Sequence, residues 1–100
     1  MPTLIVRTDE PVANIFARLN SGDWILTDRR KIAPLLAGGM LEVHPLKNGD
    51  PYNRILRAEI TTIVPLPREP RRKVIHFENP IWVVPPPVLY SVSWVVRFIP

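Results

Sequence analysis

The stretch LIVRTDEPVANIFARLNSGDWILTDRR, residues 4–30, predicts a strand, a helix and a second strand in succession. Its apolar side chains recur at helical spacing, which predicts an amphipathic helix over 10–20. Asp9 is a suitable N-cap, Pro11 suits the first turn, and Gly22 can close the helix in the left-handed conformation. The side chains predicted to face the core are Val12, Ile15, Phe16 and Leu19.

Strands dominate the rest of the chain. Apolar residues stand at alternate positions in 54–64 and again in 88–98, which predicts two long, half-buried strands. A second helix over 30–37 is limited in length by a proline and a glycine pair. The prolines of PLPREPRR, residues 65–72, predict a stiff, exposed connection with polyproline II character. Shorter strands are predicted at 3–7, 24–27, 40–44, 73–77 and 81–84.

These elements fit a single domain over residues 1–100, because a chain of 100 residues is too short for two independent cores. Hydrophobic residues make up 46% of the chain and charged residues 22%, a globular composition that predicts a packed core. The expected fold class is α+β: a small, mostly antiparallel β-barrel or strongly curved sheet of about six strands, with one main N-terminal helix.

The composition also bears on the compartment. The chain has no cysteine, which fits a reducing environment, and its N-terminus lacks the pattern of a secretory signal, so we expect a cytoplasmic protein. Residues 81–96 carry no charge, but three successive prolines and an alternating pattern oppose a membrane-spanning helix there. We therefore expect no membrane association.

Catalytic signatures are missing from the sequence. It contains no nucleophile elbow, no P-loop, no dinucleotide-binding glycine pattern and no zinc-protease motif. His44 and His76 are the only histidines, and they are not at metal-ligand spacing. The prediction is a protein without catalytic activity, metal or cofactor.

Basic residues are the main functional signal. The formal charge is +4, and the cations gather in 29–31 and in 68–73, with Arg54 and Arg57 between these clusters. If the clusters share one face, they can bind nucleic-acid phosphates, and Trp24 or Tyr52 can stack on a base. Trp24 suits a core position equally well. The candidate nucleic-acid-binding residues are Arg29, Arg30, Lys31, Arg54, Arg57, Arg71, Arg72, Trp24 and Tyr52.

Residues 3–64 resemble the ASCH domains of the PUA-like superfamily. The hallmark of these domains is the pattern G-x-K-x-x-E-x-R, for which this chain has GDWILTDR. Gly22 and Arg29 match, whereas Trp24 occupies the lysine place and Thr27 the glutamate place. Downstream, NGDPYNRILRAEITTIV is similar to the turn and strand of the family. The residues that fit this outline are Gly49, Asp50, Ala58, Ile60 and Thr61.

The resemblance implies a small β-barrel with a helix packed beside it. It also implies a cleft lined by Arg29, which the superfamily uses to recognise RNA or modified nucleosides. Some members hydrolyse an acylated cytidine with a lysine, a threonine and a glutamate. Because this chain has Trp24 and Thr27 at the lysine and glutamate places, the resemblance does not imply that activity here.

Two functions from different classes follow from the sequence. One is a small basic module that recognises RNA, or DNA, through a basic face. The alternative is a protein-interaction or assembly component, such as a small phage or accessory subunit, which binds a partner or itself through the apolar strand Val88–Phe98. The feature that separates them is whether the basic clusters lie on one face.

Overall fold

A computed structural model describes residues 1–45, 54–84 and 96–99 of the chain. In chain order, the elements among these residues are β1 (Thr3–Thr8), α1 (Val12–Arg18), β2 (Asn20–Ile25), α2 (Arg29–Leu36), β3 (Met40–Pro45), β4 (Ile55–Leu66), β5 (Glu69–Val83) and β6 (Val96–Ile99).

The six strands form one curled, half-barrel sheet in the order β2-β5-β4-β3-β1-β6. Strands β1 and β3 are parallel, and the other neighbouring pairs are antiparallel. The parallel pair is possible because β1 and β3 are separated in sequence by both helices and β2, which is enough chain for a crossover. The α+β class and the strongly curved, mostly antiparallel sheet are therefore confirmed.

The single main N-terminal helix is not confirmed, because α1 and α2 are both short, with 7 and 8 residues. Helix α1 ends when Leu19 adopts a positive φ of 62°, and the Leu19 carbonyl then accepts a hydrogen bond from Phe77 N at 3.2 Å. Pairing with β5 thus begins at Asn20, before Gly22 is reached. Pro11, not Asp9, is the N-cap residue, and its side chain makes no capping bond.

One apolar core lies between the helices and one face of the sheet. Val12 and Ile15 of α1 and Ile32 and Leu35 of α2 belong to the same buried cluster as alternate residues of the central strands. This is the arrangement expected when a sheet and two amphipathic helices bury their apolar sides together. The buried strand residues of this cluster are Leu4, Val6, Leu41, Val43, Leu56, Ala58, Ile60, Ile75 and Phe77.

Strands β4 and β5 form a long hairpin whose register pairs Leu66 with Glu69. The prediction of a polyproline-like connection over 65–72 is therefore wrong, since only the turn separates the two strands. Register shifts along the hairpin also change which side chains face the core: Val64 is exposed, whereas Ile63 packs against the core. A bulge inserts one extra residue and so reverses the alternation beyond it.

Three sequence predictions lie wholly or mostly outside the described residues. Tyr52 is one, and the pair Gly49 and Asp50 of the ASCH outline is another. The strand predicted over 88–98 is described only from Val96, where β6 pairs with β1. In the described part of the chain, no helix has the length and hydrophobicity needed to cross a membrane.

Candidate functional site

The first turn of α2 presents three consecutive cations. Asp28 caps the helix, because its Oδ1 accepts a hydrogen bond from Arg30 N at 3.0 Å and its carbonyl oxygen accepts from Lys31 N at 3.1 Å. The helix therefore begins at Arg29. Cations are disfavoured at a helix N-terminus, where the backbone dipole is positive, so this turn is locally arranged to attract an anion.

Strand β5 brings a second group of cations to the same place. Leu26 N donates a hydrogen bond to Arg71 O at 2.9 Å, which ties the segment before α2 to β5. Lys73 Nζ donates to Leu26 O at 2.6 Å and to Pro70 O at 2.7 Å. Residues distant in sequence thus meet around one pocket of about 360 Å³, here called the basic pocket. It is lined by Thr27, Arg29, Ile32, Pro65, Pro70, Arg71 and Lys73.

Among the residues that the structure describes, three cationic side chains and no carboxylate line the basic pocket. Two acids lie beside it: Asp28, whose carboxylate caps α2, and Glu69, whose carboxylate lies 3.3 Å from Arg71 Nη2. The Arg71 side chain is 70% exposed. An ion pair this exposed contributes about 0–1 kcal/mol, so a phosphate can replace Glu69 at low cost. Arg72 differs, because it contacts both Glu69 and Asp23 and does not line the pocket.

A second depression lies on the other side of α2, between this helix and β6. It has a volume of about 450 Å³, and apart from Arg30 and Lys31 its walls are almost wholly apolar; we call it the α2–β6 groove. Lys31 Nζ lies 5.3 Å from the centre of the Phe98 ring, within the range of a cation–π contact. Arg29 of α2 therefore lines the basic pocket, while the next two residues, Arg30 and Lys31, line the α2–β6 groove.

Two other candidate cations lie far from the basic pocket. Arg54 stacks over the Trp82 ring at 4.6 Å, and Arg57 pairs across the sheet with Glu42. Both lie at the end of β4 opposite Pro65, about 30 Å away along an extended strand. The structure brings Arg29 and Arg71 together and places Arg30 and Lys31 beside them, but it does not bring Arg54 or Arg57 to this place.

Trp24 occupies a position typical of a core residue. It is half-buried, packs against the apolar core and donates a hydrogen bond from Nε1 to Ser21 Oγ at 3.0 Å. It lines a third pocket, of about 380 Å³, with Asp9, Glu10 and Asp23 among its neighbours. Acidic residues dominate there, and the structure does not place Trp24 at the basic pocket.

Glu10 lies just before α1 and is held by Arg18, the last residue of that helix. Arg18 donates hydrogen bonds to both carboxylate oxygens, at 2.6 and 3.1 Å. These bonds lower the pKa of Glu10, against a smaller opposing effect of burial. Glu10 therefore stays ionised and paired with Arg18.

A charged cluster on the sheet face opposite the core was not predicted. Arg7 and His44 are both buried and pair across β1 and β3, while Glu42 and Arg57 pair across β3 and β4. His44 Nε2 lies 3.0 Å from Glu42 Oε1, and this hydrogen bond, with help from the charge of Arg57, lowers the pKa of Glu42 although burial raises it. The sequence does contain a signal for this cluster: Glu42 and His44 alternate with the apolar residues Leu41 and Val43, which places the two polar side chains together on the other face of β3.

Comparisons with known proteins identified no relative of this chain. No protein-family model matches this chain, and no curated protein and no solved structure shows significant similarity to it. Among the residues that the structure describes, no group of three or more histidine, aspartate or glutamate side chains is placed to hold a metal ion.

Proposed function

We propose that this protein is a small, non-catalytic module that binds nucleic acid, RNA in the first place, by contacting phosphates in the basic pocket. The observation that carries the proposal is the meeting of Arg29, Arg71 and Lys73 around one concave site, in which no described lining residue is a carboxylate. Phosphate groups bind preferentially to guanidinium and ammonium groups. The pocket offers both kinds of group together.

The donors of the basic pocket are positioned by the fold. Lys73 Nζ uses two of its three N–H donors on the Leu26 and Pro70 carbonyl oxygens, which leaves one donor for a ligand. The Asp28 cap fixes the backbone of Arg29 at the start of α2, while its side chain is exposed. Because Lys73 is held in place before binding, it loses less conformational entropy when a phosphate arrives.

The resemblance to ASCH domains is part of this proposal. Its support is the partial motif match at Gly22 and Arg29 and a short strand followed by a helix entered at Pro11. The resemblance predicts a second strand that follows the glycine and ends in arginine, whereas Gly22 lies within β2 and Arg29 begins α2. Of the four residues at the motif positions, Thr27 and Arg29 line the basic pocket. Gly22 and Trp24 line the pocket that contains Asp9, Glu10 and Asp23. We propose binding without catalysis, because Thr27 cannot act as the glutamate does. The proposal includes a cytoplasmic location, which suits a cysteine-free chain.

The test compares two pairs of substitutions that lower the formal charge equally, from +4 to +2. Arg29→Ala with Arg71→Ala removes two pocket cations. Arg18→Ala with Arg97→Ala removes two cations that line neither the basic pocket nor the α2–β6 groove. Affinity for labelled single-stranded RNA and DNA is measured at low salt by fluorescence anisotropy.

The expected loss for the pocket pair is about 2 kcal/mol, or about 30-fold in Kd, at about 1 kcal/mol for each contact. The control pair also removes the Arg18–Glu10 ion pair, which lies outside both depressions, so it should affect binding only through the overall field and lose much less affinity. Circular dichroism of both pairs checks that the fold is kept. Equal losses in both pairs would mean that net charge, not the basic pocket, determines binding, and the site assignment would be wrong.

The assembly alternative remains an outcome of the same experiment. Its proposed interface, Val88–Phe98, is described only from Val96, where β6 forms one end of the strand order. If the protein binds neither nucleic acid at low salt and its solution mass is that of an oligomer, the assembly function replaces the proposed one.

A further inference from the structure

The α2–β6 groove combines apolar walls with cations along one side. Phe98 pairs with the core residue Leu4 across β1 and β6, which places its ring on the sheet face that α2 covers. Pro34 and Leu35 of α2 form the facing wall. A volume of about 450 Å³ lies within the range of natural ligand sites. Its lining residues are Pro2, Thr3, Arg30, Lys31, Pro34, Leu35, Phe98 and Ile99.

The charge of the groove restricts what can occupy it. Among the described lining residues, the charged ones are Arg30 and Lys31, and both are exposed to solvent. The complementary ligand therefore has a flat or apolar group that packs on the walls and a negatively charged group beside it that pairs with these cations. The Phe98 ring and the proline walls offer surfaces on which a planar ring can pack, and Lys31 already lies over that ring.

The position of the groove distinguishes a nucleotide from an acidic peptide. Arg29 lines the basic pocket and the next residue, Arg30, lines the groove, so the two depressions are separated by about the width of one helix, 10–12 Å. A nucleic-acid strand alternates phosphates with planar bases at regular intervals and can fill both. A peptide would need an acidic side chain and an apolar side chain in one particular order.

We propose that the α2–β6 groove holds one unpaired base of the strand whose phosphates lie in the basic pocket. This inference rests on the proposed function and specifies its ligand class as single-stranded nucleic acid. A base inside a duplex is stacked on both faces and must be unstacked before it can enter a groove, so duplexes bind more weakly.

The experiment separates base recognition from phosphate recognition. The probes are a labelled oligoadenylate of about 12 nucleotides, an abasic oligomer of the same length and charge, and the oligoadenylate in a duplex with oligouridylate. The variant is Phe98→Leu, which keeps an apolar side chain against the core but removes the aromatic face. The matched control is Phe16→Leu, because Phe16 is also half-buried against the core but stacks on Trp82 instead.

The wild type is expected to bind oligoadenylate about tenfold more tightly than the abasic oligomer, the effect of one stacked base. Phe98→Leu should lose most of this preference while keeping its affinity for the abasic oligomer, and Phe16→Leu should keep both. If Phe98→Leu does not fold, Pro34→Leu, which extends a side chain into the groove from an exposed helix position, should reduce the same preference.

Three results would overturn the inference. Equal, salt-dependent binding of the base-bearing and abasic strands would leave the phosphate pocket valid and exclude a base in the groove. A preference that survives in Phe98→Leu and in Pro34→Leu would place the base elsewhere. No binding of any probe at low salt would refute the proposed function itself and assign the groove to a protein partner.

Discussion

Lys73 connects the fold to the basic pocket, and its replacement by methionine tests that connection. Lys73 Nζ donates to the Leu26 carbonyl at 2.6 Å, in a partly buried position, and to the exposed Pro70 carbonyl at 2.7 Å. A hydrogen bond from a charged donor contributes about 1.5–3 kcal/mol, and we take the lower limit for the partly buried bond and less for the exposed one. Methionine keeps the apolar stem, so the expected loss of stability is about 2 kcal/mol.

The assay is thermal unfolding followed by circular dichroism, with Lys31→Met as the matched control. A loss of 1 kcal/mol lowers the Tm of a domain of this size by about 4–8 °C, so Lys73→Met should lower it by about 10 °C. Lys31→Met loses a cation–π contact with Phe98, worth about 0.5–1 kcal/mol, but it also removes an unfavourable cation from the first turn of α2, worth about 0.3–1 kcal/mol. The two effects offset each other, so the Tm of the control should change little.

Hydrogen exchange locates the effect of the Lys73 substitution. The Leu26 amide, which donates to Arg71 O at 2.9 Å, should lose protection in Lys73→Met, because the segment before α2 is no longer held against β5. A Tm equal to that of the Lys31 variant, together with unchanged protection at Leu26, would refute the role assigned to Lys73.

Two further substitutions test the sheet and its charged cluster. Because His44 and Arg57 lower the pKa of Glu42 below 4.5, this carboxylate stabilises the fold fully above pH 4.5 and progressively less as pH falls through its folded-state pKa. Glu42→Gln should therefore reduce stability at neutral pH and flatten its decline in acid, and parallel pH profiles would contradict the assignment. A Cβ on Gly39 would lie 2.5 Å from the Leu35 Cα, which cannot yield without moving backbone. Gly39→Ala should lower the free energy of unfolding by about 1–3 kcal/mol in urea titration, and an unchanged midpoint would show that α2 can shift freely.

The sequence predicted the sheet well where one face is apolar, because a period of two is a strong local signal. The alternation of Leu41 with Val43 and of Leu56 with Ala58 placed both central strands correctly. The prediction of which side chains face the core failed beyond the register shift after Ile60. A bulge reverses the alternation, and no residue type in the sequence signals where it occurs.

Helix α1 shows how long-range pairing overrides local preference. The apolar spacing extends to Leu19, yet Leu19 is exposed and the helix stops at Arg18. Pairing of Asn20 with His76 requires extended chain from that point, and a strand that completes sheet hydrogen bonds outweighs one more helical residue. Such pairings are not visible in a local window of sequence.

The basic pocket was only partly predictable. Both clusters of cations are evident in the sequence, but their meeting depends on the hairpin register and on the contact of Leu26 with Arg71. Arg72 belongs to the same run as Arg71, yet Asp23 and Glu69 hold it away from the pocket lining. The position of these acids relative to the strand, which the sequence does not reveal, thus decides which of the two arginines lines the pocket.

Phosphate binding is tested most directly by the salt dependence of binding between the wild-type protein and a labelled single-stranded RNA. Five cations of the described residues line the two depressions: Arg29, Arg30, Lys31, Arg71 and Lys73. At one phosphate each, log K should fall with log salt at a slope of about −3.5, so that affinity drops about 100-fold between about 50 and about 200 mM. No binding at low salt, or an affinity that does not change with salt, would contradict a phosphate-binding function.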